Sequence, residues 1–178
     1  MGEIWLVRHG QTQWSQAGQH TGRTDVPLLP DGEAAATALK PVLDRRWALV
    51  LSSPLQRAWH TAELAGLTPL VDDDLREWDY GPAEGLRTQD LGPGWSVWDD
   101  VPLGETLEQV AERVRRVLAR VATDADTCLV AHGHVLRVLT AVYLGLEPRA
   151  AQHFVLKPCG IAVLGHEHDR PALLRWNQ

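Results

Sequence analysis

Three short stretches, EIWLVR at 3–8, ALVLS at 48–52 and TCLVA at 127–131, are apolar at most positions instead of at alternate ones. A strand wetted on one face alternates, so these predict strands covered on both faces. Between them the pattern changes to the helical period. It is clearest over 105–121, where Leu107, Val110, Ala111, Val114, Val117, Leu118 and Val121 recur at three- and four-residue steps behind Thr106 as N-cap. The opposite face carries Glu112, Arg113, Arg115, Arg116 and Arg120 and reads as a solvated helix face. A second helix is expected over 31–47, opened by Pro30-Asp31-Gly32-Glu33 and bent or cut short at Pro41. Others are expected over 54–65, with Pro54 in its first turn, and over 134–144. Two late strands, 161–166 and 172–176, flank the turn HEHDRP and read as a hairpin.

Strands alternating with helices imply βαβ crossovers. The expected fold is α/β, a three-layer α-β-α sandwich around a mainly parallel sheet that the final hairpin makes mixed. With no repeat and no low-complexity linker, residues 1–178 read as a single domain, and the Asp-, Gly-, Pro- and Trp-rich region 72–104 as a cap over the strand ends. At 44% apolar and 22% charged residues the composition is ordinary for a globular protein.

A net charge of −6 without a long basic run argues against nucleic acid or an anionic membrane surface as partner. Neither a signal peptide nor an apolar run approaching the ~18 residues of a membrane span is visible, so a cytoplasmic location is expected. Cys128 and Cys159 have no metal or redox spacing and read as buried free thiols. Of eight tryptophans, Trp14, Trp78, Trp95 and Trp98 lie in polar segments, either walling a pocket or filling half-buried positions.

In open α/β sheets ligands bind beyond the carboxyl ends of the strands. Those ends deliver Arg8 and His9, then Ser52 and Ser53 with Arg57 on the next helical turn, then His132, Gly133 and His134. Two arginines and two histidines on one edge of an acidic protein make a local positive pocket that calls for an anion. A phosphate monoester fits the guanidinium forks, with backbone amides at the helix starts near 54 and 133 adding donors. Neutral His9 is a potential nucleophile toward phosphorus if the carbonyl of Gly10 fixes its tautomer. The leaving oxygen needs a proton from a carboxyl whose pKa partial burial raises, with Glu77 the first candidate and Asp79 or Glu84 behind it. His60, His153, His166 and His168 are assigned to structure or surface, and Asp72-Asp73-Asp74 to a solvated turn. HxH at 166–168 lacks partner ligands, so no metal and no cofactor is expected.

These residues resemble the histidine phosphatase, or phosphoglycerate-mutase-like, superfamily through nearly the whole chain. The resemblance rests on LVRHGQT at 6–12, SSPLQRAWHTA at 52–62, LREWDYGPAEG at 75–85 and VAHGHVLR at 130–137, in that order. It implies a phosphoglycerate-mutase-like fold in which His9 is phosphorylated, Arg8, Arg57 and His132 grip the phosphoryl oxygens, and Glu77 donates the proton. It also implies lesser substrate contacts from Thr21, Gly22, Tyr80, Gly133 and His134. Many members carry Asn where this chain has Ser15, whose shorter hydroxyl can still donate.

WSQAGQHTGRTDVPL is most like the short sedoheptulose-bisphosphatase-like and broad-specificity acid phosphatases. Mutases carry a basic insertion after the acid block, whereas Leu86 to Gly104 here holds Arg87 as its only basic residue. The expected activity is metal-independent hydrolysis of a small phosphorylated metabolite, sugar phosphates first. A phosphoglycerate mutase and a catalytically inactive phospho-ligand-binding module are the alternatives, and a homodimer is left open.

Overall fold

The computed structural model describes residues 2–99, 104–121 and 124–178. Among the described residues six strands form one sheet: β1 (Ile4–Arg8), β2 (Leu49–Ser52), β3 (Leu70–Val71), β4 (Thr127–Ala131), β5 (Ile161–Glu167) and β6 (Arg170–Trp176). Their spatial order is β3-β2-β4-β1-β5-β6. β3, β2, β4 and β1 run parallel, and β5 and β6 are antiparallel to their neighbours. The sheet is therefore mixed and mainly parallel, as the alternation of strands and helices requires. The hairpin is tighter than HEHDRP suggests: Glu167 pairs with Arg170, leaving a two-residue turn in which His168 has φ 53°. The two-residue edge strand β3 escaped sequence reading, because Leu70 and Val71 are exposed and too few to show a period.

The helices are α1 (Gln13–Ala17), α2 (Pro30–Ala38), α3 (Lys40–Leu43), α4 (Gln56–Leu64), α5 (Leu107–Arg120) and α6 (Gly133–Tyr143). Pro41 has no N–H to continue α2, and the expected 31–47 helix divides there into α2 and α3. Pro54 precedes α4, with Leu55 as N-cap, instead of lying in its first turn. Thr106 caps α5 as expected, accepting from the Gln109 amide. The region 72–99 is a series of single 3₁₀ turns. Residues 100–103 of the expected cap lie outside the described residues.

Side chains alternate across the strands and fill two cores. Ile4, Leu6, Leu129 and Ala131 face the layer that contains α5, α6, Trp78 and Tyr80. Trp5, Val7, Cys128 and Val130 face the opposite layer, with Leu43 and the α4 alanines. Both cysteines are free, Cys128 in the core and Cys159 only half-buried.

The expected solvated face of α5 is largely engaged. Arg116 and Arg120 ion-pair with Asp74 at 2.6 and 2.9 Å, and Arg120 reaches Asp72 at 2.6 Å, so the acidic turn is bound to the helix. The Arg116 hydrogen bond is the main reason the Asp74 carboxyl sits below the usual carboxylate range. Arg113 is buried. It shares the helix face of Val110 and Val117, three and four residues away, which is the signal that would have placed it inside.

β4 connects to two parallel neighbours and lies at the centre of both cores. Leu129, wholly buried there, cannot be shortened without leaving a cavity. Leu129→Ala should cost about 2–5 kcal/mol of stability, read as a lower urea midpoint at unchanged slope.

Candidate active site

The chain leaves β1 toward β2, on one side, and leaves β4 toward β5, on the other. That divergence opens a crevice at the carboxyl ends of β1 and β4, where open sheets bind ligands. Register then sets the chemistry side by side. Arg8 pairs with Ala131, so the next residues, His9 and His132, meet with ring centroids 5.1 Å apart. The start of α2 presses against the loop behind His9. A Cβ on Gly10 would lie 2.6 Å from the Gly32 carbonyl, and one on Gly32 would lie 2.3 Å from that of Gln11.

His9 Nδ1–H donates to the Gly10 carbonyl at 2.7 Å, the tautomer anticipated from the sequence, which leaves the Nε2 lone pair unprotonated. Burial, then the charges of Arg57 and Arg8, holds the His9 pKa well below its ordinary value. His132 is likewise held neutral, first by burial and then by Arg57. Its Nδ1 accepts from Arg57 Nε at 3.2 Å, and its Nε2 meets Ser53 Oγ at 2.7 Å.

Arg57 is fully buried and works mostly on the protein. Besides His132 it donates to the carbonyls of Thr24, Thr21 and Gly22 at 2.8 to 3.0 Å, holding the loop after α1 over the crevice. Arg8 differs. One terminal nitrogen donates to the Leu156 carbonyl at 2.5 Å, but its Nε is buried without a hydrogen-bond partner among the described residues. Its guanidinium lies against Gly133, where a Cβ would come within 3.4 Å of it.

Glu77 is buried, and its carboxylate caps the start of α6. Oε2 accepts from the His134 amide at 3.1 Å, while Oε1 accepts from the amides of Val135 and Trp78 at 3.0 Å. The amides expected near 133 to meet a phosphate are thus taken by Glu77. Those near 54 are taken by Asp25, on the Gln56 amide, and by Ser53, on that of Leu55. Of the three carboxyls considered, Glu77 lines a cavity of about 210 Å³ together with Arg8 and His9. Asp79 pairs with Arg23 at 2.9 Å, and Glu84 accepts from the amides of Gly22 and Thr24.

Ser15, Thr21, Tyr80, Gly133 and His134 line the same cavity. Gly22 lies behind it, its amide on Glu84. Ser15 closes a capping box with Thr12 at the start of α1, accepting from the Thr12 amide and donating to its carbonyl. Thr12-x-x-Ser15 lacks the Glu or Gln of the usual box, so the local sequence does not mark this short helix. The Tyr80 hydroxyl meets His134 Nδ1 at 2.5 Å, and burial raises the tyrosine pKa well above its ordinary value.

The lining residues not singled out beforehand include His20 and Arg137. Arg137 lies one helical turn beyond His134 on the same side of α6, a spacing visible in VAHGHVLR. None of the four tryptophans lines the cavity. Trp95 and Trp98 instead back its walls, with ring centroids 4.9 Å from His20 and 5.2 Å from His134.

Among the described residues no three His, Cys, Asp or Glu side chains are grouped to hold a metal, and no helix is long and apolar enough to cross a membrane.

The mixed-sheet α/β sandwich gathers a buried arginine, two neutral histidines and a carboxyl at one strand edge, a donor set suited to an anion. The chain belongs to the histidine phosphatase superfamily (branch 1), whose family model matches residues 4–178. It is 36% identical to an acid phosphatase of Mycobacterium tuberculosis, covering 93% of this chain and 87% of the relative. It is 30% identical to the sedoheptulose 1,7-bisphosphatase of Saccharomyces cerevisiae, covering 94% and 90%. A solved structure of an open reading frame from Mycobacterium tuberculosis superposes with a TM-score of 0.94 at 34% identity, over 99% of this chain and 97% of that one.

The neutral histidines make stability pH-dependent. The unfolded chain binds protons as pH falls through the ordinary histidine value of 6.5, whereas folded His9, His132 and His134 resist them. The unfolded state then holds more protons, so stability rises with pH and falls on acidification through that range, by at most about 1.4 kcal/mol per pH unit for each histidine. The urea midpoint should drop between pH 7.5 and 5.5, and less steeply in His134→Asn.

Proposed function

We propose that this chain is a metal-independent phosphomonoesterase that works through a phosphohistidine. The observation that carries the reading is the juxtaposition in one crevice of three groups: the unpartnered Nε of Arg8, the free Nε2 lone pair of neutral His9, and the Glu77 carboxyl. Arg8 and Arg57 supply buried positive charge to the phosphoryl oxygens, and neutral His132 can turn to them the Nε2–H that meets Ser53 Oγ. That charge is what a metal would otherwise provide.

In the first step His9 Nε2 attacks phosphorus in line, the bond to the ester oxygen breaks, and Glu77 gives that oxygen its proton. Glu77 Oε2 accepts a single amide and keeps a lone pair for the proton. In the second step Glu77 takes a proton from water, the hydroxide attacks phosphorus, and the P–N bond breaks. Phosphate leaves and His9 returns to its neutral form.

Hydrolysis is preferred over mutase chemistry because retention of a bisphosphorylated intermediate needs additional cations over the crevice. Arg87, the basic residue of the segment after the acid block, is tied to Asp90 at 2.9 Å. The phosphatase names of the relatives support the same reading, and small sugar phosphates fit a cavity of this size. Tyr80, His134 and Ser15 line the same cavity, which supports reading them as contacts to the leaving group.

His9→Ala should reduce phosphate release from an aryl phosphate by at least about a thousand-fold, and wild type quenched during turnover should yield an acid-labile phosphoprotein that the variant does not. Equal activity of the two proteins refutes the mechanism. Phosphate release across sugar mono- and bisphosphates, phosphoglycerates and nucleotides would rank the leaving groups. A coupled isomerisation assay with a bisphosphate primer tests the mutase alternative.

A further inference from the structure

The segment that carries Glu77 has no regular structure to hold it. Residues 73–75 and 81–83 are single 3₁₀ turns, and the stretch between them belongs to no helix or strand. A proton donor has to stay within a few tenths of an ångström of its station, so its backbone must be fixed by something else. The clamp comes from α5 and the residue before its N-cap.

Arg113 uses all five of its N–H donors. Nε and Nη2 form a bidentate pair with the Glu105 carboxylate at 2.7 and 2.9 Å. Nη1 donates to the carbonyls of Asp74 and Arg76 at 2.8 and 2.7 Å, and Nη2 donates also to the carbonyl of Glu77 at 3.3 Å. Glu105 completes the grip from the other side. Its carboxylate accepts from the Asp79 amide at 2.9 Å, its carbonyl accepts from Trp78 Nε1 at 2.8 Å, and its amide donates to the Asp79 carbonyl at 2.9 Å. Residues on both sides of Glu77 are thus tied to one ion pair, that of buried Arg113 with half-buried Glu105, while the Glu77 carboxylate is docked on α6.

The geometry points to Arg113 and Glu105 as the positioning pair for proton transfer: they set where the Glu77 carboxyl stands relative to the ester oxygen without touching substrate. This inference rests on Glu77 being the proton donor. It has a consequence that simple support of the fold lacks. Loss of the clamp should be felt in proportion to the leaving oxygen's need for a proton, because neither residue belongs to the phosphoryl cradle of Arg8, His9, Arg57 and His132. Lysine has three donors in a point-charge arrangement and cannot reproduce the five-donor fork, so Arg113→Lys keeps the charge and loosens the clamp.

The test compares kcat/KM, which reports formation of the phosphoenzyme, for p-nitrophenyl phosphate and glycerol phosphate in wild type, Glu77→Gln, Arg113→Lys and Glu105→Gln, with folding checked by circular dichroism. Nitrophenolate departs unaided, whereas an alkoxide does not. Glu77→Gln should lower the alkyl value by about a hundred-fold or more relative to the aryl value, and Arg113→Lys should lower it by about ten-fold. Glu105→Gln, which retains hydrogen-bonding groups at the same place, should follow Arg113→Lys in direction and decides the matter if the arginine variant does not fold.

Equal losses on both substrates in folded Arg113→Lys and Glu105→Gln, or no loss, would overturn the inference while leaving the function standing if Glu77→Gln still discriminates. If Glu77→Gln itself does not discriminate, Glu77 is not the proton donor, and both readings fall.

Discussion

Burial of guanidinium charge at the carboxyl edge of the sheet is the constraint from which the rest of the site follows. Arg57 is wholly enclosed, and its charge is solvated by three backbone carbonyls and an imidazole instead of by a carboxylate. Such an arrangement neutralises no charge. It leaves a positive field that, with burial, keeps His9 and His132 unprotonated. The same carbonyls belong to the loop over the crevice, so one interaction solvates the cation, shapes the entrance and sets the state of the two imidazoles. Arg8 extends the field to the cavity wall with a buried nitrogen unsatisfied by the protein. An incoming dianion would supply what the protein leaves unmet, which is why the proposed chemistry is phosphoryl transfer.

Opposite this field stands a carboxyl group held with equal care. Glu77 occupies the start of α6, where amides and the helix dipole would otherwise attract the substrate's own anion. The helix therefore positions the proposed proton donor and is not itself the phosphate cradle. The arrangement keeps the carboxylate at a fixed place beside the cations without forming an ion pair with them, and its backbone is anchored by a second, separate ion pair of Arg113 and Glu105.

The main strands and helices were legible because their signals are local. Continuous apolar runs mark β1, β2 and β4, and a recurrence at three- and four-residue steps marks α5. What escaped was short or set by partners distant in sequence. β3 and α1 have too few residues for a period, and α1 owes its cap to a serine outside the usual pattern. The arginines of α5 and the aspartates at 72–74 each read as solvated, because nothing local shows that they face one another across some forty residues.

The sequence by itself determined which chemistry is available: Arg8 and His9 after one strand, His132 after another, and a carboxyl block between them, each a consequence of where a strand must end. Tertiary structure alone decided how that chemistry is wired. Strand register brought His9 beside His132, Arg57 was turned toward carbonyls, the α6 amides were given to Glu77 instead of to a ligand, and Arg113 was drawn from the surface to the loop behind it. The physical reason is that a hydrogen-bond donor's partner is chosen by geometry across the fold. A chain position records that an arginine is present, and only packing records which oxygens it meets.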